Sequence, residues 1–325
     1  MWKSFESVRV LIIGDVMIDR YLHGHVRRIS PEAPVPVVEL SETEDRLGGA
    51  GNVALNIKAL GATPYLCSVI GKGAEGSALF QLMSQNNLST KGIITTEHRK
   101  TTVKTRIIAG SQQMLRIDEE TLSDLNEAEQ QDLLTRIRSF LDTNKIDVIL
   151  FQDYNKGVLT LKLIQDVLKE ALIRAIPTCV DPKHKHFLEY KQCTLFKPNL
   201  KEIKEALPLK IEPTLKSLSD AADYLRDMIK NRYTMITLSE KGLFIHDGKQ
   251  GYLIPTRPRR IADVSGAGDT VIAMASVALA TGVDLKTIAQ WCNLAGGIVC
   301  ESPGVVPIDK LRLIEEWTEE MMNDE

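Results

Sequence analysis

Residues 263–270 read Asp263-Val264-Ser265-Gly266-Ala267-Gly268-Asp269-Thr270, and the reading of the chain starts from this string. Two glycines one residue apart let a backbone approach an anion closely. They open a helix, expected over residues 266–280, whose unpaired N–H groups and positive dipole end suit a phosphate. Asp269 falls in the first turn of that helix. The dipole favours the ionised carboxylate, which is then ready to accept a proton. Amides that hold a migrating anionic group, next to a carboxylate facing an incoming hydroxyl, are the parts phosphoryl transfer needs. The structural alternative is an ordinary helix start with an acidic first turn.

Working outward, strands alternate with helices. Strands are expected at 8–13, 64–70, 147–151, 178–180, 195–196 and 233–238, with a hairpin of 242–246 and 250–254 around Asp247-Gly248. Helices are expected at 74–85, 125–141, 161–174, from Asn199, at 215–230, 285–295 and 308–322. This alternation predicts an α/β fold, a mostly parallel sheet with helices on both faces, whose ligands bind outside the carboxyl ends of the strands. Residues 21–44 break the pattern. Their proline-punctuated string SPEAPVPVVEL (30–40) forbids helix and predicts a small β-element projecting from the body. Residues 103–109 and 114–117 read as paired strands. Gly48-Gly49-Ala50-Gly51 opens a helix that runs to about Leu60.

Composition narrows the function. Of 325 residues, 43% are apolar and 26% charged, ordinary globular usage. A net charge of −3 gives no sign of a nucleic-acid partner. No apolar run approaches the about 20 residues that span a bilayer, and the first residues do not read as a signal peptide. The five cysteines form no CxxC pair and read as free thiols in a reducing cytoplasm. His23-x-His25 and His184-x-His186 lack a convincing third metal ligand. Neither a Walker A loop nor a GxGxxG dinucleotide motif is present.

The string around Asp269 resembles the second signature of the ribokinase-like (PfkB) carbohydrate kinases, with Ser265 where that family usually has Thr. Gly48-Gly49-Ala50-Gly51-Asn52 resembles its first signature, and Asn199-Leu200-Lys201-Glu202 its NxxE motif. An Asn and a Glu one turn apart share a helix face, and Glu202 is placed to hold water on Mg²⁺. Asp15 and Asp19 after the first strand read either as acceptors for sugar hydroxyls or as turn and cap residues.

A closer resemblance covers almost the whole chain. GDVMIDRY (14–21), RISPEAPVPVVEL (28–40), GGAGNVALNI (48–57), QQMLRIDEE (112–120), DYNKGVLT (153–160), VDPK (180–183), KPNLKE (197–202) and TLSEKG (237–242) are similar to the D-glycero-β-D-manno-heptose-7-phosphate kinases. It implies ATP-dependent transfer to the anomeric hydroxyl of a phosphorylated heptose, with Mg²⁺. Asp269 is then the base, and Gly266, Ala267 and Gly268 the anion hole. Asp15, Asp19, Gly48, Gly49, Asn52, Arg106, Asp153 and Lys156 would meet the sugar. Asn199, Glu202, Ser239, Gly242, Ser265 and Asn293 would meet the nucleotide, with Asn199 and Glu202 at the metal; Asn293 reads equally well as helix packing. Cations for the substrate phosphate are Lys104, Arg106, Arg116, Lys156 and Lys183, with Arg106 and Lys156 preferred. The expected organisation is one kinase domain over 1–325 without a nucleotidyltransferase domain. Its β-lid, at about 20–47 and 103–117, would clasp a second copy in a homodimer. A ribokinase- or fructokinase-like enzyme and a non-catalytic binding relative are the alternatives.

Overall fold

The structure, a computed structural model, describes residues 2–110 and 112–323. In chain order it begins with β1 (Arg9–Gly14), β2 (Val16–Ile29), β3 (Pro36–Gly49), α1 (Ala50–Ala59), β4 (Thr63–Gly71), α2 (Ala74–Gln85) and β5 (Ile93–Thr96). There follow β6 (Thr102–Ala109), β7 (Gln112–Glu119), α3 (Glu127–Thr143), β8 (Val148–Gln152), α4 (Leu161–Ile173), β9 (Thr178–Asp181) and β10 (Leu195–Phe196). The rest is α5 (Leu200–Ala206), α6 (Leu215–Ile229), β11 (Tyr233–Thr237), β12 (Leu243–His246), β13 (Gly251–Ile254), α7 (Ala267–Ala280), α8 (Leu285–Val299) and α9 (Lys310–Asn323).

The strands form two sheets. The larger has nine strands in the order β13-β12-β11-β10-β9-β8-β1-β4-β5, with every neighbouring pair parallel except the two that β12 makes. Along β1, Val10 and Ile12 enter one buried cluster, and Leu11 and Ile13 the other. That two-residue period is what a strand covered on both faces requires. The first cluster packs α1, α7 and α8 on one face; the second packs α3, α4 and α6 on the other. The α/β architecture expected from the alternation, a mostly parallel sheet covered on both faces, is thus present. All five cysteines are free and buried. Among the described residues no helix is long and apolar enough to cross a membrane.

The smaller sheet, β3-β2-β6-β7, is larger than the sequence implies. β2 starts directly after Asp15, and β3 runs into α1 without a loop. Gly48 and Gly49 therefore close a strand, and Gly49 is at the same time the N-cap of the helix this string was expected to open. Asp19 sits inside β2, neither in a turn nor at a cap. Ser111, within the expected 103–117 span, lies outside the described residues, as do the end positions 1, 324 and 325 of the expected domain.

Two short elements escape a sequence reading. A 3-10 turn, Trp2–Ser7, is held by tertiary contact: the Trp2 ring lies 4.3 Å from that of the fully buried Trp291. β5 is only four residues long and is defined by its pairing with β4.

Candidate functional site

The carboxyl ends of adjacent parallel strands deliver one set of polar side chains. Asp15 follows β1, Asp153 and Tyr154 follow β8, Asp181 ends β9 and Lys197 follows β10. This is the edge where open α/β sheets bind ligands. α7 starts against the same edge. Its N-cap Gly266 has φ 80°, a left-handed conformation open to glycine, and a Cβ there would stand 2.9 Å from Asn52 Nδ2. No side chain caps α7. The Gly268 and Asp269 amides lie in its first turn, where helix geometry supplies no acceptor. Gly268 is exposed and Asp269 is buried.

Asp269 is 4% exposed and held from three sides. The Tyr154 hydroxyl donates to Oδ1 at 2.7 Å and Gln152 Nε2 to Oδ1 at 3.1 Å, while Asn52 Nδ2 donates to Oδ2 at 2.9 Å. Burial pushes the Asp269 carboxyl up to about 6, against the lowering effect of the Tyr154 and Asn52 hydrogen bonds. The dipole argument from sequence pointed the other way; desolvation outweighs it here. The result suits a base better, because a proton acceptor works best when its pKa lies near the working pH.

The sugar-side residues divide in two. Asp15, 1% exposed, accepts from the backbone N–H groups of Tyr154 (2.8 Å), Lys156 (3.1 Å) and Val158 (3.2 Å). Its carboxylate organises the 153–158 loop, which agrees with the turn reading of it. Asn52 is fully buried, its amide donating to Asp269 and its Oδ1 accepting from Asn56. It too holds the Asp269 carboxylate. Asp153 is buried between the Tyr190 hydroxyl and the Asn155 amide. Arg106 pairs with Asp19, and Lys156 with Glu120 at 2.7 Å. Gly49 has φ 57°, and a Cβ there would lie 2.5 Å from the Asp15 carbonyl; one at Gly48 would meet Asp19. The glycine pair brings β3 against both aspartates.

Of the six residues expected to meet a nucleotide, Asn199, Ser239, Gly242 and Asn293 line a cavity of about 1100 Å³ beside the α7 turn, and Glu202 and Ser265 do not. Asn199, Ser239, Gly242, Gly268, Asn293 and Gly297 all line it, with Leu243, Val271 and Cys292 giving it apolar walls. Asn293 lines the cavity and donates to the Pro255 carbonyl at 2.9 Å. The Ser265 N–H donates to Asp263 Oδ1 at 2.9 Å, which shapes the turn before α7. Asn199 and Glu202 form a capping box at the start of α5, and Glu202 Oε1 also takes the Lys183 ammonium.

Three residues of the site escaped the sequence reading: Gln152, Tyr154 and Lys197. Lys197 is 2% exposed, with Nζ 3.0 Å from Asp181 Oδ2 and 4.0 Å from where a Cβ on Gly268 would stand. A buried cation thus lies behind the exposed turn. The available signal was position: a Lys after the apolar pair Leu195-Phe196 stands at a strand's carboxyl end.

Burial, then the nearby Asp15 charge, pushes the Asp153 carboxyl up to about 7 from a usual 3.8. A carboxyl raised on folding contributes stability that is full below about pH 4 and lost as pH rises through about 7. The Asp153→Asn variant has no charge to bury. Its thermal midpoint is expected to rise relative to wild type between pH 4 and 7, and a pH series of melting curves checks this; parallel curves would place the titration elsewhere.

Residues 8–310 match the pfkB family carbohydrate kinase description. Among curated proteins, the bifunctional protein HldE of Methylobacillus flagellatus is 40% identical over 311 residues, covering 96% of this chain and 63% of that protein. HldE of Desulfatibacillum aliphaticivorans is 39% identical, covering 95% of this chain and 63% of its own length. The chain therefore spans less than two thirds of these relatives. Of solved structures, phosphofructokinase-2 from Escherichia coli superposes with a TM-score of 0.79 at 19% identity, covering 96% of this chain and 98% of that one. Arabidopsis thaliana ribokinase, complexed with ribose and ATP, gives 0.73 at 16%, covering 95% and 98%. By sequence match and by fold, this chain belongs to the pfkB family of carbohydrate kinases.

Proposed function

We propose that this kinase transfers the γ-phosphoryl group of ATP to the anomeric hydroxyl of D-glycero-β-D-manno-heptose 7-phosphate, giving the 1,7-bisphosphate. The observation that carries the reading is the buried Asp269 carboxylate at the uncapped start of α7, with the Lys197 charge behind the same turn. The Gly268 and Asp269 amides take the charge of the migrating phosphoryl group, the Ala267 N–H expected beside them being engaged with the Val264 carbonyl at 3.3 Å, and Asp269 takes the proton of the attacking hydroxyl. The apolar-walled cavity suits a nucleoside. Asn199 lines it, and Glu202, one helical turn on, carries hard carboxylate oxygens now taken by the Asn199 N–H and the Lys183 ammonium. The described residues hold no cluster of three metal-ligating side chains, so Mg²⁺ would be bound chiefly by nucleotide phosphates, with Glu202 reaching it through water. The ion would supply charge neutralisation at those phosphates.

A phosphorylated sugar needs a free cation. Arg106 and Lys156 are already paired, whereas Lys104 has no carboxylate at ion-pair distance among the described residues. Lys104 is the better clamp for the substrate phosphate, and its burial holds its ammonium below the usual pKa, ready to gain from an anionic partner. An ADP-release assay tests the substrate: turnover is expected with heptose 7-phosphate and not with unphosphorylated sugars. Turnover of free ribose or fructose would assign a ribokinase- or fructokinase-like enzyme instead.

Ile29, Leu40, Leu115 and Ile117 of the smaller sheet are exposed. Apolar side chains on a sheet with open edges are costly in water. The reading places a second copy of the chain over this sheet, as a homodimer, and the free thiols suit a cytoplasmic enzyme. Sedimentation should give a dimer; a monomer at every concentration rules this assembly out.

A further inference from the structure

The two oxygens of Asp269 are not equally engaged. Oδ1 accepts from both Tyr154 (2.7 Å) and Gln152 (3.1 Å), which fills its lone pairs. Oδ2 accepts from Asn52 at 2.9 Å, and no second donor to it is present among the described residues. Tyr154 is itself tied to both sheets. Its backbone N–H donates to Asp15 Oδ2 at 2.8 Å, and the Lys104 and Lys183 ammoniums lie over its ring at 5.3 and 5.6 Å from the centroid. One cation comes from β6 of the smaller sheet and the other from the segment after β9.

We propose that Tyr154 is a positioning residue that anchors Asp269 through Oδ1 and leaves Oδ2 as the oxygen that takes the proton from the acceptor hydroxyl. This rests on Asp269 being the base. As the new O–P bond forms, the hydroxyl proton passes to Oδ2. The bond from the γ-phosphorus to its bridging oxygen breaks, and ADP leaves with that electron pair. Tyr154 keeps its own proton, because burial and the Asp269 charge raise its phenol well above its usual range.

The groups facing Asp269 are Asn52 from α1, Gln152 and Tyr154 from β8 and the loop after it, Asp181 and Lys183 from β9 and beyond, and Lys197 after β10. Among them Tyr154 is the neutral donor whose strength is adjustable without altering charge. Removing a donor to a carboxylate raises its pKa; strengthening the donor lowers it.

The test is the pH profile of kcat/KM in the ADP-release assay with heptose 7-phosphate. Tyr154→Phe should move the acid limb up by about one pH unit, with the KM for ATP unchanged. Site-specific 3-fluorotyrosine at position 154, a more acidic phenol of nearly the same shape, should move it down. The second variant carries the test alone should Tyr154→Phe not fold. Limbs that stay at the wild-type position overturn the inference. So does a Tyr154→Phe enzyme faster than wild type at every pH, since the phenol would then be obstructing the acceptor. Asp269→Asn in the same assay separates the two claims. Wild-type turnover in that variant removes the base itself; lost turnover with unmoved Tyr154 limbs removes only the positioning role.

Discussion

Replacing Asp269 by Asn is expected to slow phosphoryl transfer by about 100- to 10,000-fold while both substrates still bind. The amide keeps the volume of the carboxylate and an oxygen for the Tyr154 and Gln152 donors; its NH2 replaces the acceptor that Asn52 meets, and the main loss falls on proton acceptance. It also changes the pH profile. The wild-type carboxyl, raised to about 6 by burial, is ionised and active above that pH and protonated below it. Wild-type kcat/KM should therefore climb through pH 6, and the residual Asp269→Asn rate should lack that limb. Steady-state kinetics from pH 5 to 8, with nucleotide binding measured separately by calorimetry, checks both parts. Equal ADP release by the two proteins would remove Asp269 from the chemistry.

Lys197→Met is expected to have the next largest effect, on stability as well as rate. The ammonium and Asp181 are both buried at 3.0 Å, so removing one leaves a charge uncompensated, at about 3–5 kcal/mol for such pairs. Gln152 Nε2 also donates to Asp181 Oδ2, at 3.3 Å, which places the loss towards the lower end. The same change takes a positive charge from behind the Gly268 turn, where the migrating phosphoryl group gathers negative charge, and should cut turnover by about 100- to 1,000-fold. The double variant Lys197→Met with Asp181→Asn separates the two effects. It should recover much of the stability in denaturant titrations without recovering turnover. Recovery of both would make Lys197 a purely structural cation.

The smaller effects trace to the same edge of the large sheet. Asp15, Asp153, Asp181 and Asp269 are all buried there with few cations to balance them. Folding places them together at a cost that burial makes visible in the raised carboxyls of Asp15, Asp153 and Asp269. Such groups mark functional sites more often than structural ones. Their amide and phenol donors hold the carboxylates in place before any ligand arrives.

Much of this was legible in the amino-acid string. Alternating apolar strands and amphipathic helices determine the parallel sheet, because each local period dictates which faces must be covered. The glycine turn before residues 267–280 determines a helix start with unpaired amides, because helix geometry leaves them so whatever surrounds them. Long-range contact was not legible. That Asn52, about a hundred residues before Gln152 and Tyr154, converges with them on Asp269 depends on how α1 and β8 pack against α7. The same holds for the sign of the Asp269 shift. Sequence places the carboxylate at a dipole that favours its charge, and only the packed structure supplies the desolvation that outweighs it. Local hydrogen bonding and periodicity act within a few residues; burial is a property of the whole chain and appears only once it has folded.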